Sequence, residues 1–149
     1  MITVGIAGAS GYSGEVLVEI LAGHPRVKNL VLASHSHAGR PVEGVLPRLA
    51  PEVAGRRFIG IEAEELASTG ADVWFLALPH GVSAGFAAKL QGRVRVVFDL
   101  SADFRLRSPE RYATYYGTPH PLPDWLARVP YVLPEFPPED WQDADLVAC

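Results

Sequence analysis

Apolar and polar positions change period repeatedly along the chain, and each change predicts an element. Val4-Gly5-Ile6-Ala7 is a short apolar run that reads as a strand. Beyond a glycine-rich stretch, Val16, Leu17, Ile20 and Leu21 recur at the helical period, with Glu15 and Glu19 between them. That spacing predicts an amphipathic helix with the four aliphatic side chains on its buried face. Val27–Ala33 reads as a second strand, ending in the polar turn Ser34-His35-Ser36-His37-Ala38-Gly39. Arg40–Arg57, rich in proline and glycine, reads as a long excursion, followed by a short strand at Phe58–Ile61 and a short helix over Ile61–Ser68. Asp72–Leu78 is a continuous apolar run, the pattern of a strand covered on both faces. Pro79-His80-Gly81 closes it, and Val82–Leu90 continues as a helix. Val94–Leu100 predicts the next buried strand. Ser108-Pro109-Glu110 opens another helix, with Ser108 as N-cap and Pro109 at the first helical position. Val129–Leu133 and Asp145–Ala148 read as late strands. Strands alternating with helices predict an α/β fold: a doubly wound, mostly parallel sheet with helices on both faces.

Composition narrows the picture without redirecting it. A length of 149 residues suits one domain spanning 1–149. Apolar residues make up 48% and charged residues 20%, as in ordinary globular proteins. A net charge of −4 gives no basic footprint for nucleic acid, and no apolar run approaches a membrane span. The chain enters a strand at once, without the pattern of a secretory leader. One cysteine, Cys149, forms no internal disulfide, so a cytoplasmic location is expected. Most of the prolines follow Ser108, where regular structure should thin out.

The candidate chemistry sits at strand ends. Gly8, Gly11 and Gly14, with Ser10, Tyr12 and Ser13 between them, join the first strand to the first helix. Gly8 permits the tight turn, Gly11 lets the backbone approach a pyrophosphate, and Gly14 lets helix and strand pack closely. Amides at the helix start then face the anion. An ordinary tight turn also uses glycine, but the flanking strand and helix favour the nucleotide reading. Gly8–Gly14, Ser34–Gly39, Leu78–Gly81 and Ser101–Arg105 all follow strands and are expected to share one crevice. The second of these turns carries Ser34, His35, Ser36, His37 and Arg40, with no acid before Glu43. An acid would bind both ribose hydroxyls, whereas this turn accommodates a 2′-phosphate, so NADP is the expected cofactor. His35 and His37 lack a third ligand nearby, which speaks against a metal. His80 reads equally as a crevice residue or a turn residue, and His120, between prolines, reads as a surface loop residue. Arg105 fits a substrate phosphate, with Asp103 or Glu110 as the ordinary alternative partners. Tyr112, Tyr115 and Tyr116 read as packing residues with wet hydroxyls. Cys149, in an apolar context, reads as a small core hydrophobe rather than a nucleophile.

Together these residues resemble the N-terminal domain of the N-acetyl-gamma-glutamyl-phosphate reductase family. The resemblance spans nearly the whole chain. It rests on Gly8-Ala9-Ser10-Gly11-Tyr12-Ser13-Gly14, on Ser34–Gly39 and on Phe75-Leu76-Ala77-Leu78-Pro79-His80-Gly81-Val82-Ser83. Asp99-Leu100-Ser101-Ala102-Asp103-Phe104-Arg105-Leu106 is the most specific part, followed by Tyr115-Tyr116-Gly117, His120-Pro121 and Leu133-Pro134-Glu135. The glycine run alone also fits aspartate-semialdehyde dehydrogenases, and the lysine-pathway relative acting on aminoadipyl phosphate has much the same first domain. The resemblance implies a Rossmann-type domain that binds NADPH through the glycine turn, Ser34, His35, Ser36 and Arg40, Leu78–Gly81, and Ser101 and Ala102. It implies reduction of N-acetyl-gamma-glutamyl phosphate to N-acetylglutamate 5-semialdehyde in arginine biosynthesis, with Arg105 on the small-molecule substrate's acyl phosphate. The family's nucleophilic cysteine belongs to a Pro-Gly-Cys-Tyr motif just beyond the run matched by Leu146–Cys149, and a second domain supplies most of the catalysis and the oligomer contacts. The resemblance therefore places no catalytic residue in this chain, which reads as a cofactor-binding part cut before its catalytic centre, from an enzyme that is a homo-oligomer. One departure stands out: His35 occupies a position where the family commonly has arginine. A stand-alone dinucleotide-binding module is the alternative of a different class.

Overall fold

The computed structural model describes residues 1–139 and 141–149. Five strands form its sheet: β1 (Ile2–Ala7), β2 (Val27–Ala33), β3 (Val73–Leu76), β4 (Val96–Asp99) and β5 (Leu146–Ala148). They lie in the order β2-β1-β3-β4-β5, and every pair is parallel. Parallel neighbours need a crossover, which here brings in α1 (Tyr12–Ala22), α2 (Ala50–Val53), α3 (Ala63–Ser68), α4 (Ser83–Leu90) and α5 (Pro109–Tyr116). The order reverses between β1 and β3. That is the switch point of a doubly wound sheet, and it opens a crevice beyond the carboxyl ends of those strands.

The two faces of the sheet carry separate cores. On one, Ala7, Ala33, Trp74, Leu76, Val97 and Leu146 pack with Leu66 of α3, with Ala84, Ala87 and Leu90 of α4 and with Tyr112 of α5. Gly5 leaves room on this face for the Trp74 indole, because a Cβ there would overlap the ring. On the other face, Val4, Ile6, Leu30 and Leu32 pack with Val18 of α1 and with Val42, Leu46 and Phe58 of the excursion. Large-to-small changes in such cores typically cost about 2–5 kcal/mol.

Several expectations change in the structure. The buried residues of α1 are Gly14 and Val18, while Val16 and Ile20 are 54% and 60% exposed. Close packing explains the rotation: a Cβ on Gly14 would meet the Gly8 carbonyl oxygen and, at 2.7 Å, the Ala9 Cα. Helix and turn can approach only with Gly14 inward, and Val18, one turn on, follows it. Phe58–Ile61 forms no strand. It contributes a single parallel bridge, Ala33 to Ile59, and buries Phe58. Val129–Leu133 likewise gives only isolated bridges at Tyr131 and Leu133. Its proline-rich surroundings remove the amide donors that a ladder needs. β3 and β4 are shorter than their apolar runs. Phe75 and Phe98, stacked with centroids 5.1 Å apart, remain half-buried, so complete cover holds on one face of these strands only.

Candidate functional site

At the β1–α1 turn the chain makes a cradle for an anion. Gly8 has φ +81°, and both Gly8 and Ala9 donate their amides to the Ala33 carbonyl at 3.0 Å. These bonds tie the turn to the end of β2. A side chain on Gly8 would strike the Ala77 carbonyl beyond β3. Gly11 is the N-cap of α1, and among the described residues no side chain caps the helix. The leading amides of α1, those of Tyr12 and Ser13 among them, therefore have no acceptor within the helix. Glycines without Cβ beside an uncapped helix start provide the close backbone approach and the positive end that a diphosphate needs.

A cleft of about 440 Å³ opens over this turn. Gly8, Ser10, Gly11, Tyr12 and Ser13 form one side, with Ser34, His35 and Ser36 at the end of β2, and Leu78 and Pro79 beyond β3. Ile61 and Ala77 also line it. Sequence reasoning missed both. Ile61 reads as the first residue of a helix that in fact begins at Ala63, and Ala77 reads as strand. Another groove, of about 350 Å³, lies beside Ile2, Arg95 and Trp141 at the amino ends of the strands. Doubly wound sheets bind their ligands at the opposite edge.

The expected cofactor residues differ in how free they are. Ser10 and Ser34 share a hydrogen bond between their Oγ atoms at 2.7 Å, and Ser34 is buried. Ser34 thus latches the two turns together, leaving His35 and Ser36 exposed at the cleft. Arg40 lies outside the cleft lining, where its Nη1 donates to His37 Nδ1 at 3.1 Å. The His37 ring in turn sits 6.2 Å from that of Phe58. His80 and Gly81 are exposed, and the His80 ring lies 5.6 Å from Tyr116 of α5. Ser101 turns inward: its amide and its Oγ both donate to Asp99, at 2.9 and 2.8 Å. Ala102 beside it is half-buried.

Beneath these turns lies a buried polar network that sequence reasoning did not find. Asp99, at the end of β4, also accepts from Ser83 Oγ at 2.5 Å, and burial pushes its carboxyl above the ordinary value against the pull of these hydrogen bonds. Asp103 is fully buried and accepts from the amides of Gly81 and Ala84 at 2.6 and 2.8 Å and from Tyr112 Oη at 3.1 Å. It is therefore no partner for Arg105. The Tyr112 hydroxyl is not wet; burial and Asp103 push its pKa up to about 12. His120 also departs from expectation. It is 5% exposed, 4.6 Å from the Tyr112 ring and 5.3 Å from Phe104, and its Nδ1 accepts from the Leu122 amide. Burial lowers its pKa, and among the described residues its Nε2 meets no hydrogen-bond partner. The apolar residues around Thr118-Pro119-His120-Pro121 were the available signal, because a loop so rich in proline is rigid enough to pack.

Arg105 and Cys149 meet beyond the carboxyl ends of β4 and β5. Arg105 donates from Nε to the Cys149 carbonyl at 2.9 Å and from Nη2 to the Leu100 carbonyl at 2.8 Å. A guanidinium has five N–H groups, so three remain for an anion. Cys149 is half-buried, and burial raises its thiol pKa, with Asp99 adding to the shift. Among the described residues, no three His, Cys, Asp or Glu side chains come together as metal ligands, and no helix is long and apolar enough to cross a membrane.

Comparison with known proteins matches residues 3–144 to the family model of the semialdehyde dehydrogenase, NAD binding domain. The chain is 45% identical to an N-acetyl-gamma-glutamyl-phosphate reductase of Akkermansia muciniphila, over 99% of this chain and 43% of that protein. It is 42% identical to a [LysW]-L-2-aminoadipate/[LysW]-L-glutamate phosphate reductase of Saccharolobus solfataricus, over 99% and 41% respectively. The solved structure of aspartate semialdehyde dehydrogenase II from Vibrio cholerae superposes with a TM-score of 0.67 at 22% identity, over 99% of this chain and 41% of that one. That likeness shows the Rossmann-like fold. The chain spans about two fifths of the length of the curated relatives it matches.

Proposed function

The chain belongs to the semialdehyde dehydrogenase family through its NAD-binding domain, and from that premise we propose that it is the cofactor-binding part of an NADPH-dependent acyl-phosphate reductase. The proposed reaction converts N-acetyl-gamma-glutamyl phosphate to N-acetylglutamate 5-semialdehyde, a step of arginine biosynthesis. The observation that carries this reading is the uncapped start of α1 beside Gly8 and Gly14, at the switch point of the sheet. The identity to N-acetyl-gamma-glutamyl-phosphate reductases supports the choice of substrate. The similarity to the LysW-linked reductase keeps a carrier-bound aminoadipyl phosphate as the second substrate to be tested.

The chain's own residues divide the work by strand end. The α1 amides hold the diphosphate, and Gly8, Gly11 and Gly14 admit it closely. His35 and Ser36 face the adenosine ribose at the cleft, and Arg40 borders the same turn. No acid stands there to bind two free ribose hydroxyls, which favours NADP over NAD. Leu78 and Pro79 line the cleft beyond β3; His80, Gly81 and Ala102 extend that wall toward β4, with Ser101 holding the turn behind it. Bound NADPH supplies the hydride. Arg105, oriented by two carbonyls, directs its remaining N–H groups to the acyl phosphate. Cys149 is not assigned as a nucleophile in this reading, since burial raises its thiol pKa and so disfavours the thiolate. The whole enzyme is cytoplasmic and a homo-oligomer in this reading.

Two measurements test the proposal. Calorimetric titration of the 149-residue chain should give tighter binding of NADPH than of NADH; equal affinities would remove the assignment of the Ser34–Arg40 turn. The protein expressed from its whole reading frame should reduce NADP with N-acetylglutamate semialdehyde and phosphate. There, Arg105→Lys should lower activity by about tenfold or more while leaving NADPH affinity unchanged. Activity with aspartate semialdehyde alone would replace the substrate, and lost NADPH binding in Arg105→Lys would reassign the arginine.

A further inference from the structure

We infer that Asp103 is a positioning residue for the cofactor crevice, with Tyr112 as its lock: its carboxylate fills the amino end of α4 from inside the protein and fixes the Pro79-His80-Gly81 turn against the cleft. The inference rests on the reading of that cleft as the cofactor site. α4 receives no cap from its own N-cap residue, Val82, which has helical backbone angles. Left alone, its free amides would form a second seat for an anion, beyond the strand next to β1. Asp103 occupies that seat. It comes from the loop after β4, is fully buried, and spends one oxygen on the Gly81 amide and the other on the Ala84 amide.

The geometry ties three elements to one carboxylate. Gly81, at φ +79°, ends the turn whose Pro79 lines the cleft. Ala84 lies in the first turn of α4, and Tyr112, on α5, donates its hydroxyl to the oxygen that Gly81 uses. One helical turn on, Tyr116 lies beside the Tyr112 ring at 4.7 Å and the His80 ring at 5.6 Å. α5 therefore braces the turn twice, through Asp103 and through His80. The dinucleotide's phosphates are left with α1 alone, since the protein's own charge closes the other helix start.

NADPH affinity of the wild-type chain, Asp103→Asn and Tyr112→Phe tests this, measured well below each melting midpoint so that stability by itself has no effect. Asparagine keeps the shape but sets its own N–H group against a backbone amide. We expect a cooperative melt, NADPH binding weaker by about tenfold or more, and an upfield shift of the Gly81 amide proton as the charged acceptor disappears. Tyr112→Phe should weaken binding by about two- to fivefold. Wild-type affinity in both folded variants would overturn the inference and leave Asp103 a structural cap. Should Asp103→Asn fail to fold, Tyr112→Phe, which retains both amide bonds, decides by the same criterion. A wild-type chain that binds no NADPH would instead refute the cleft's assignment, and this inference with it.

Discussion

At the scale of single residues, absence of atoms matters as much as presence. Gly14 has no Cβ because the Gly8 carbonyl and the Ala9 Cα occupy its place. Gly14→Ala should therefore lift the start of α1 away from the turn, costing roughly 1–3 kcal/mol and abolishing most NADPH affinity; urea denaturation and titration would measure the two effects. Unaltered binding would mean that the amides of α1 are not the diphosphate seat. His120 makes a different prediction. Burial lowers its pKa, so the folded state binds fewer protons than the unfolded state once the pH falls below about 6.5, the ordinary imidazole value. Stability should fall as pH drops from there toward the depressed folded value. Asp99, raised by burial, acts with the opposite sign, its share of stability being lost as pH rises through its folded value. The difference in melting temperature between wild type and His120→Gln, followed from pH 7.5 to 5, isolates the histidine. It should shift in the variant's favour on acidification, and a constant difference would contradict the neutral buried state.

At the scale of elements, local signals were legible and orientations were not. Ser108-Pro109 announced α5, and Ser108 Oγ does accept from the Arg111 amide at 3.2 Å. Ser108→Ala should cost about 1 kcal/mol in urea denaturation, with little change in cofactor affinity. The strand at Val27–Ala33 and the helix within Val82–Leu90 were likewise present in the periodicity. The rotation of α1 was not, because two sets of aliphatic residues satisfy the helical period and only the contact of Gly14 with the turn chooses between them. The Phe58–Ile61 segment carries strand-like residues but meets a single bridge to β2. Propensity records what a side chain tolerates, and the available partners are a property of the fold.

At the scale of the molecule, parallel order puts strand ends at one edge, and three of the four polar turns expected to share a crevice do line the cleft; the fourth, Ser101–Arg105, lies outside its lining because Ser101 and Asp103 turn inward to hydrogen-bond beneath it. What lay beneath them was hidden. Asp103 reads in sequence as a surface carboxylate near Arg105, and His120 as a loop residue, since neither burial nor a bond to a residue 22 positions away is visible along the chain. The residues around the cleft divide accordingly into those that face it, such as His35 and Ser36, and those that hold the turns in place, such as Ser34, Ser101 and Asp103. On this reading a dinucleotide's phosphates rest on the start of α1. The most direct test is to titrate the ¹⁵N-labelled chain with NADPH and follow its backbone amide resonances. The largest shifts are expected at Gly11, Tyr12 and Ser13, with further shifts at His35, Ser36 and Gly81. Absence of binding, or shifts confined to the groove beside Ile2, Arg95 and Trp141, would contradict it.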